Sequence, residues 1–206
     1  MAGNARGQLR RRSILIAAVH VVARGGAGAL THRATAAAAG VSLASVTYHF
    51  PGIIDLRRAT FAHAADVVGR EFARTLDCGA NPDAAVEALV ARWRDVGLAR
   101  RAEFLALFAL LVEALHEPEL SEQVDALLSA PAAMLVAEGC PPDLADGVVA
   151  ALVGLALVTL AQDPAGVRDP ADATRRFEQR AAALFGGLAL AGHPAADHDR
   201  DISGQR

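Results

Sequence analysis

The chain has 206 residues, 53% of them hydrophobic but only 4% aromatic, and a net charge of −3. That composition excludes long disorder, supplies a core made mainly of Ala, Leu and Val, and favours helices over sheets. The charge is unevenly placed: residues 1–60 carry eight arginines and one acid, net +7, and the remaining 146 carry 12 arginines and 22 acids, net −10. A basic head on an acidic body is the footprint of a protein that meets a polyanion at one end.

Residues 1–8 are small and polar and read as a flexible arm. From about Gln8 to Arg24, apolar residues (Ile14, Leu15, Ala18, Val21, Val22) recur at helical spacing, and Gly25-Gly26 ends the run. Thr31 stands where an N-cap belongs and opens a short helix to Ala39, stopped by Gly40. Ser42 caps the next, about Leu43 to His49. Phe50-Pro51-Gly52 breaks the chain again, and a fourth helix begins near Ile53 with Asp55 in its first turn, where the helix dipole favours an acid.

Longer helices follow. Asn81-Pro82-Asp83 opens one to about Leu98, another covers Arg101 to His116, and a third Glu119 to Glu138, with Pro131 expected to bend or split it. After the break at Gly139-Cys140-Pro141-Pro142, Asp143 to Gln162 is a strongly apolar helix. Its uninterrupted apolar run, Gly147 to Ala161, is 15 residues, short of the ~20 a bilayer requires, so a buried or interface helix is expected and no membrane. Asp169-Pro170 pairs an N-cap with a proline at N1 for a last helix ending near Leu190. Residues 191–206 read as a disordered tail. The expected fold is all-α.

Three short helices in the first 50 residues, the second and third joined by a glycine-centred turn, make a helix-turn-helix. The third such helix enters the major groove while the second braces it. Val41, Val46 and Phe50 are expected to face inward against Leu15, Ala18 and Leu30. That leaves Leu43, Ala44, Ser45, Thr47, Tyr48 and His49, with Ser42 at the cap, for the DNA.

Leu30 to Phe50 reads L-T-H-R-A-T-A-A-A-A-G-V-S-L-A-S-V-T-Y-H-F, followed by Pro51-Gly52 and Leu56. This stretch resembles the TetR family of one-component bacterial regulators, whose Leu-Thr start, Ala-x-x-Ala-Gly-Val-Ser turn and Tyr-His-Phe ending fall on Leu30-Thr31, Ala36–Ser42 and Tyr48–Phe50. The chain departs from the family at three places. Ile53 stands where a phosphate-binding Lys is usual, Thr47 where Tyr is commonest, and Thr35 where a core Ile is usual. Phosphate contacts are therefore assigned to Thr31, Arg33, Tyr48, His49 and the arm residues Arg10, Arg11 and Arg12, with Arg57 or Arg58 as stand-ins for the missing Lys.

The resemblance implies a head at residues 9–60 and a helical effector-binding and dimerisation domain at 61–190. It also implies a homodimer on a palindromic DNA operator, a repressor's action, and release by a small-molecule effector. For the pocket the expected residues are Trp93, Phe104, Phe108, Leu111, Glu113 and His116, an apolar lining with a few polar groups. For the dimer interface two stripes are expected: Leu144, Val148, Leu152, Leu155 and Thr159, and Phe177, Ala181, Leu184, Phe185 and Leu188. The same stripes also suit ordinary intrachain core.

No Gly-rich phosphate loop, H-E-x-x-H, G-x-S-x-G or metal-ligand cluster is present, so no enzyme, catalytic residue, metal or cofactor is expected. Cys78 and Cys140 lack metal-ligand or C-x-x-C spacing and are expected as reduced thiols in a cytoplasmic protein. No signal core follows the N-terminal arginines. The alternative reading is an architectural DNA binder with neither sequence preference nor effector, whose salt-dependent binding would show a specificity ratio near one.

Overall fold

The computed structural model describes residues 2–73, 90–92, 96–97, 99–163 and 170–191. Its α-helices are α1 (Ala2–Gly25), α2 (His32–Ala39), α3 (Leu43–His49), α4 (Ile53–Ala73), α5 (Arg101–Glu113), α6 (Ser121–Ala137), α7 (Pro142–Ala161) and α8 (Pro170–Ala191), with single 3-10 turns at Ala27–Ala29 and Pro118–Leu120. Cys78, Trp93 and the tail lie outside the described residues, as does most of the helix expected from residue 81 to 98.

α1 starts at Ala2, so residues 2–8 continue the helix where an arm was expected. Gly3 and Gly7 each weaken a helix by only about 1 kcal/mol relative to Ala, too little to break one that Arg6, Gln8, Leu9 and Arg10 favour. The buried stripe Ile14, Leu15, Ala18, Val19 and Val22 anchors it, and α1 packs on α2, α4 and α5. It ends where Gly26 takes φ 75°. At Gly25 an added Cβ would stand 2.6 Å from Ala29 Cβ, so the chain can fold back on itself only over a glycine.

α4 crosses the boundary expected at residue 60. It begins with half of a capping box, the Gly52 N–H donating to Asp55 Oδ2 at 2.9 Å, and runs on through buried Leu56, Phe61, Ala64 and Val68. Head and body thus share one rigid helix. α4 packs on α5 and α6, α6 on α7, and α7 on α8. Pro131 lies inside α6 without splitting it, and α5 ends at Glu113, three residues before the expected stop.

By length and composition α7 could cross a membrane, because it starts at Pro142 and reaches 20 residues. Its Val148, Val149, Leu152 and Ala156 are buried within the chain on one face. Its other face, including Leu157 and Val158, is exposed.

Candidate DNA-reading head and ligand cavity

The head is built from local capping. Thr31 Oγ1 accepts from the Ala34 N–H at 3.0 Å and fixes the start of α2. Gly40 at φ 63° lets its own N–H turn back to the last carbonyls of α2. Ser42 Oγ then accepts from the Ser45 N–H at 3.1 Å and starts α3. Val46 and Phe50 are buried with Leu15, Ala18 and Leu30, whereas Val41 is only half-buried at the edge of this core.

Two contacts fasten α3 to its neighbours. The His32 Nε2–H donates to the Phe50 carbonyl at 2.7 Å, tying the start of α2 to the end of α3. A carbonyl can only accept, so this bond places the proton on Nε2. Nothing local in the sequence marks this bond, which spans 18 residues. The Arg11 guanidinium stands 5.1 Å from the centre of the Phe50 ring, a cation–π contact that brings α1 to the same corner.

Leu43, Ala44, Thr47 and Tyr48 are exposed, Tyr48 at 82%. Ser45 and His49 are half-buried, with the His49 ring edge-on to Tyr48 at 5.2 Å. The Thr47 hydroxyl is within 3.2 Å of both the Leu43 and Ala44 carbonyls. Its proton is therefore used inside the helix, which leaves its methyl and the hydroxyl oxygen as an acceptor to meet a base edge. Arg10, Arg12, Thr31 and Arg33 are exposed on α1 and at the start of α2. Ile53, where a lysine was missed, packs half-buried against the core.

Arg57 and Arg58 do not stand in for that lysine. Arg57 Nη1 lies 3.3 Å from Glu113 Oε1 and also pairs with Glu117, and the Arg58 Nε–H donates to the Glu119 carbonyl at 2.8 Å. Both arginines point from the first turns of α4 into the α5–α6 connection. Attraction to the acidic body, invisible in the sequence, turns them away from the head's outer face.

In the body, α4, α5, α6 and α7 line a cavity of about 630 Å³ that is partly open to solvent, within the range of small-molecule pockets. Its walls include Val68, Phe104, Phe108, Leu127, Met134 and Leu152; its polar groups are Asp66, Arg70, Glu122 and Gln123. Of the residues expected to line a pocket, Phe104 and Phe108 do so, their rings stacked at 6.2 Å. Leu111 packs half-buried outside the cavity, Glu113 is taken by Arg57, and His116 is exposed in the turn after α5. Composition grouped them as an apolar lining with a few polar groups, but α5 shows the cavity only the face bearing Phe104, Leu107 and Phe108.

The expected dimer stripes are corrected as well. Val148, Leu152, Phe177 and Ala181 are buried within the single chain, Leu152 as cavity wall. Leu155 and Thr159 are half-buried, with the Thr159 hydroxyl donating to the Leu155 carbonyl at 2.7 Å. Leu144 and Leu184 are exposed; the side chains of Phe185 and Leu188 lie outside the described residues. In a run of 15 apolar residues every face of the helix looks like an interface. Among the described residues no group of three His, Cys, Asp or Glu side chains is placed to hold a metal ion. Burial pushes the Cys140 thiol pKa up, which makes it a poor nucleophile.

No family model and no curated protein sequence matches the chain. Among solved structures, a member of the TetR family from Streptomyces coelicolor A3 is 30% identical, covering 82% of this chain and 96% of its own, with a TM-score of 0.67. This chain belongs to the TetR family of transcriptional regulators. The multidrug binding protein EbrR is also similar. Its complex with proflavin is 30% identical over 84% of this chain and 99% of its own, at a TM-score of 0.59. Its complex with imidazole is 29% identical over 82% and 93%, at 0.65. The stretch that carries the resemblance is Leu30–Phe50 with its Thr31 and Ser42 caps.

Proposed function

We propose that this TetR-family regulator binds a palindromic operator as a homodimer, represses from it, and releases it when a small molecule fills the cavity. The observation that carries the reading is the course of α4. One helix of 21 residues starts at the corner behind the reading helix and ends as a wall of the cavity, with Ala62, Ala65 and Val68 facing in. A ligand that wedges α4 moves the head. Release requires the ligand to bind the DNA-incompetent arrangement more tightly than the competent one.

α3 supplies the reading surface: Ser45, Thr47 and the small Ala44 for base edges, Tyr48, His49, Thr31, Arg33 and the α1 arginines for phosphates. A single short helix reads too few bases for high affinity, so two heads set for successive major grooves are expected. The exposed apolar face of α7, with Leu144, Leu157 and Val158, and Leu184 of α8 offers the pairing surface. Gly147 and Gly154 are open on that helix and permit close approach of a second copy. EbrR has been solved with proflavin and ethidium, and an apolar cavity with stacked phenylalanines suits flat aromatic molecules of that kind. The regulator would act in the cytoplasm.

The test is selection of bound sequences from a random DNA pool, followed by titration of the winner and of scrambled DNA. A palindromic motif with half-sites about one helical turn apart is the expected result. A specificity ratio near one would replace this reading with that of an architectural binder. Tyr48→Ala should lower affinity for operator and scrambled DNA alike, by about fivefold for ~1 kcal/mol, whereas Thr47→Ala should alter the preferred sequence.

A further inference from the structure

We infer that the cavity selects aromatic ligands carrying N–H hydrogen-bond donors, and that Gln123 is the residue that reads them. This rests on the cavity being a ligand site, as proposed above, and adds the chemistry of what it accepts. The walls are almost wholly carbon, so the few polar atoms decide orientation and selectivity.

Among them one buried acceptor stands unpaired. Gln123 lines the cavity, and its Oε1 is buried with no hydrogen-bond partner among the described residues. A buried acceptor left unsatisfied keeps its desolvation penalty, which a ligand donor offsets on binding. One turn further along the same face of α6, Leu127 also lines the cavity. Its carbonyl would normally accept from residue 131, but that residue is Pro131, which has no N–H. Gln123, Leu127 and Pro131 are spaced four apart and share one face. The Glu122 carboxylate stands at the same end of the cavity. The donor-bearing Arg70 is engaged by Asp66 at 2.8 Å. The Phe104 and Phe108 rings, 25° from coplanar, also line the cavity and offer an apolar surface for a flat ring. An aromatic amine suits this arrangement; an aromatic carrying only acceptors would leave the Gln123 Oε1 unpaired.

The test compares proflavin with acridine, the same tricycle without the two amino groups, binding to the full chain by calorimetry in the absence of DNA. Proflavin should bind at least about tenfold more tightly, and Gln123→Leu should weaken proflavin by about tenfold (1.4 kcal/mol) while leaving acridine within about twofold. Glu122→Gln separates simple charge attraction: it should keep most of the preference. Equal affinities, no proflavin binding, or a preference lost in Glu122→Gln but kept in Gln123→Leu would overturn the assignment. An unchanged thermal transition of the unliganded variants confirms that they fold. Operator release is scored separately, as the difference between wild type and a cavity-filling Ala65→Phe variant, because proflavin also enters DNA. Selective binding without release would count against the effector reading alone and leave the ligand chemistry standing.

Discussion

Arg57, on the second turn of α4, holds its guanidinium 3.3 Å from the carboxylate of Glu113 at the end of α5, and Glu117 closes on it from the following turn. With Arg58 bound to the Glu119 carbonyl, this makes the first turns of α4 part of both head and body. Side chains of Arg57 and Glu113 are 15% and 29% exposed, sheltered enough for the pair to exceed an ordinary surface ion pair. A double-mutant cycle of Arg57→Met and Glu113→Gln in urea unfolding should show a coupling of about 1 kcal/mol. The same Arg57→Met variant should still bind ligand but lose much of the ligand's effect on operator affinity. An unchanged ligand response would remove the pair from the signal path.

Thr35 is fully buried in α2, and its hydroxyl has no hydrogen-bond partner among the described residues. A buried hydroxyl with no acceptor keeps its desolvation penalty. Thr35→Val, nearly equal in volume, should therefore stabilise the protein by about 1 kcal/mol in urea or thermal unfolding. A loss of stability would mean that the hydroxyl is satisfied in solution.

α7 carries a buried face with Leu152 and an exposed apolar face with Leu157 and Val158. Leu157→Glu combined with Leu184→Glu places charge on the exposed face and should give monomers on size-exclusion chromatography, with operator binding lost and helicity kept. Leu152→Ala instead enlarges a cavity wall and should cost about 2–5 kcal/mol of stability without changing the oligomeric state. A dimer that survives the double substitution would place the pairing surface elsewhere.

His63 on α4 has its pKa lowered, chiefly by burial, with Arg12 of α1 and Arg70 adding to the shift and Asp66 and Glu103 opposing it. The unfolded chain, with a His pKa of about 6.5, binds the proton more readily than the folded one. Stability is thus unaffected above that value and falls as the pH drops below it toward the folded pKa. The loss between neutral and mildly acidic pH should be smaller in His63→Gln, measured as the difference between two urea titration series. Equal slopes for both proteins would contradict the shift.

The head was largely legible beforehand because its signals are short-range. The Thr31 and Ser42 caps each satisfy an N–H three residues on, and Gly40 needs only its own backbone freedom. Tyr48 fell on the open side of α3 because a seven-residue helix with Val46 inward has few other faces. The body resisted the same treatment. Glu113 was taken for a ligand anchor because no local rule says that Arg57, far off in sequence, will reach it first. Leu152 and Leu157 were indistinguishable inside a run apolar all round.

The amino-acid sequence alone determined where α2 and α3 begin and end, and that one end of the molecule is basic, since capping, turn geometry and formal charge depend on neighbours within a turn. Only the tertiary structure decided which face of α7 is core, which residues wall the cavity, and that Arg57 and Arg58 serve the body and leave the phosphates to others. Burial and ion pairing are properties of two surfaces meeting, and a periodic apolar pattern specifies one surface without naming its partner.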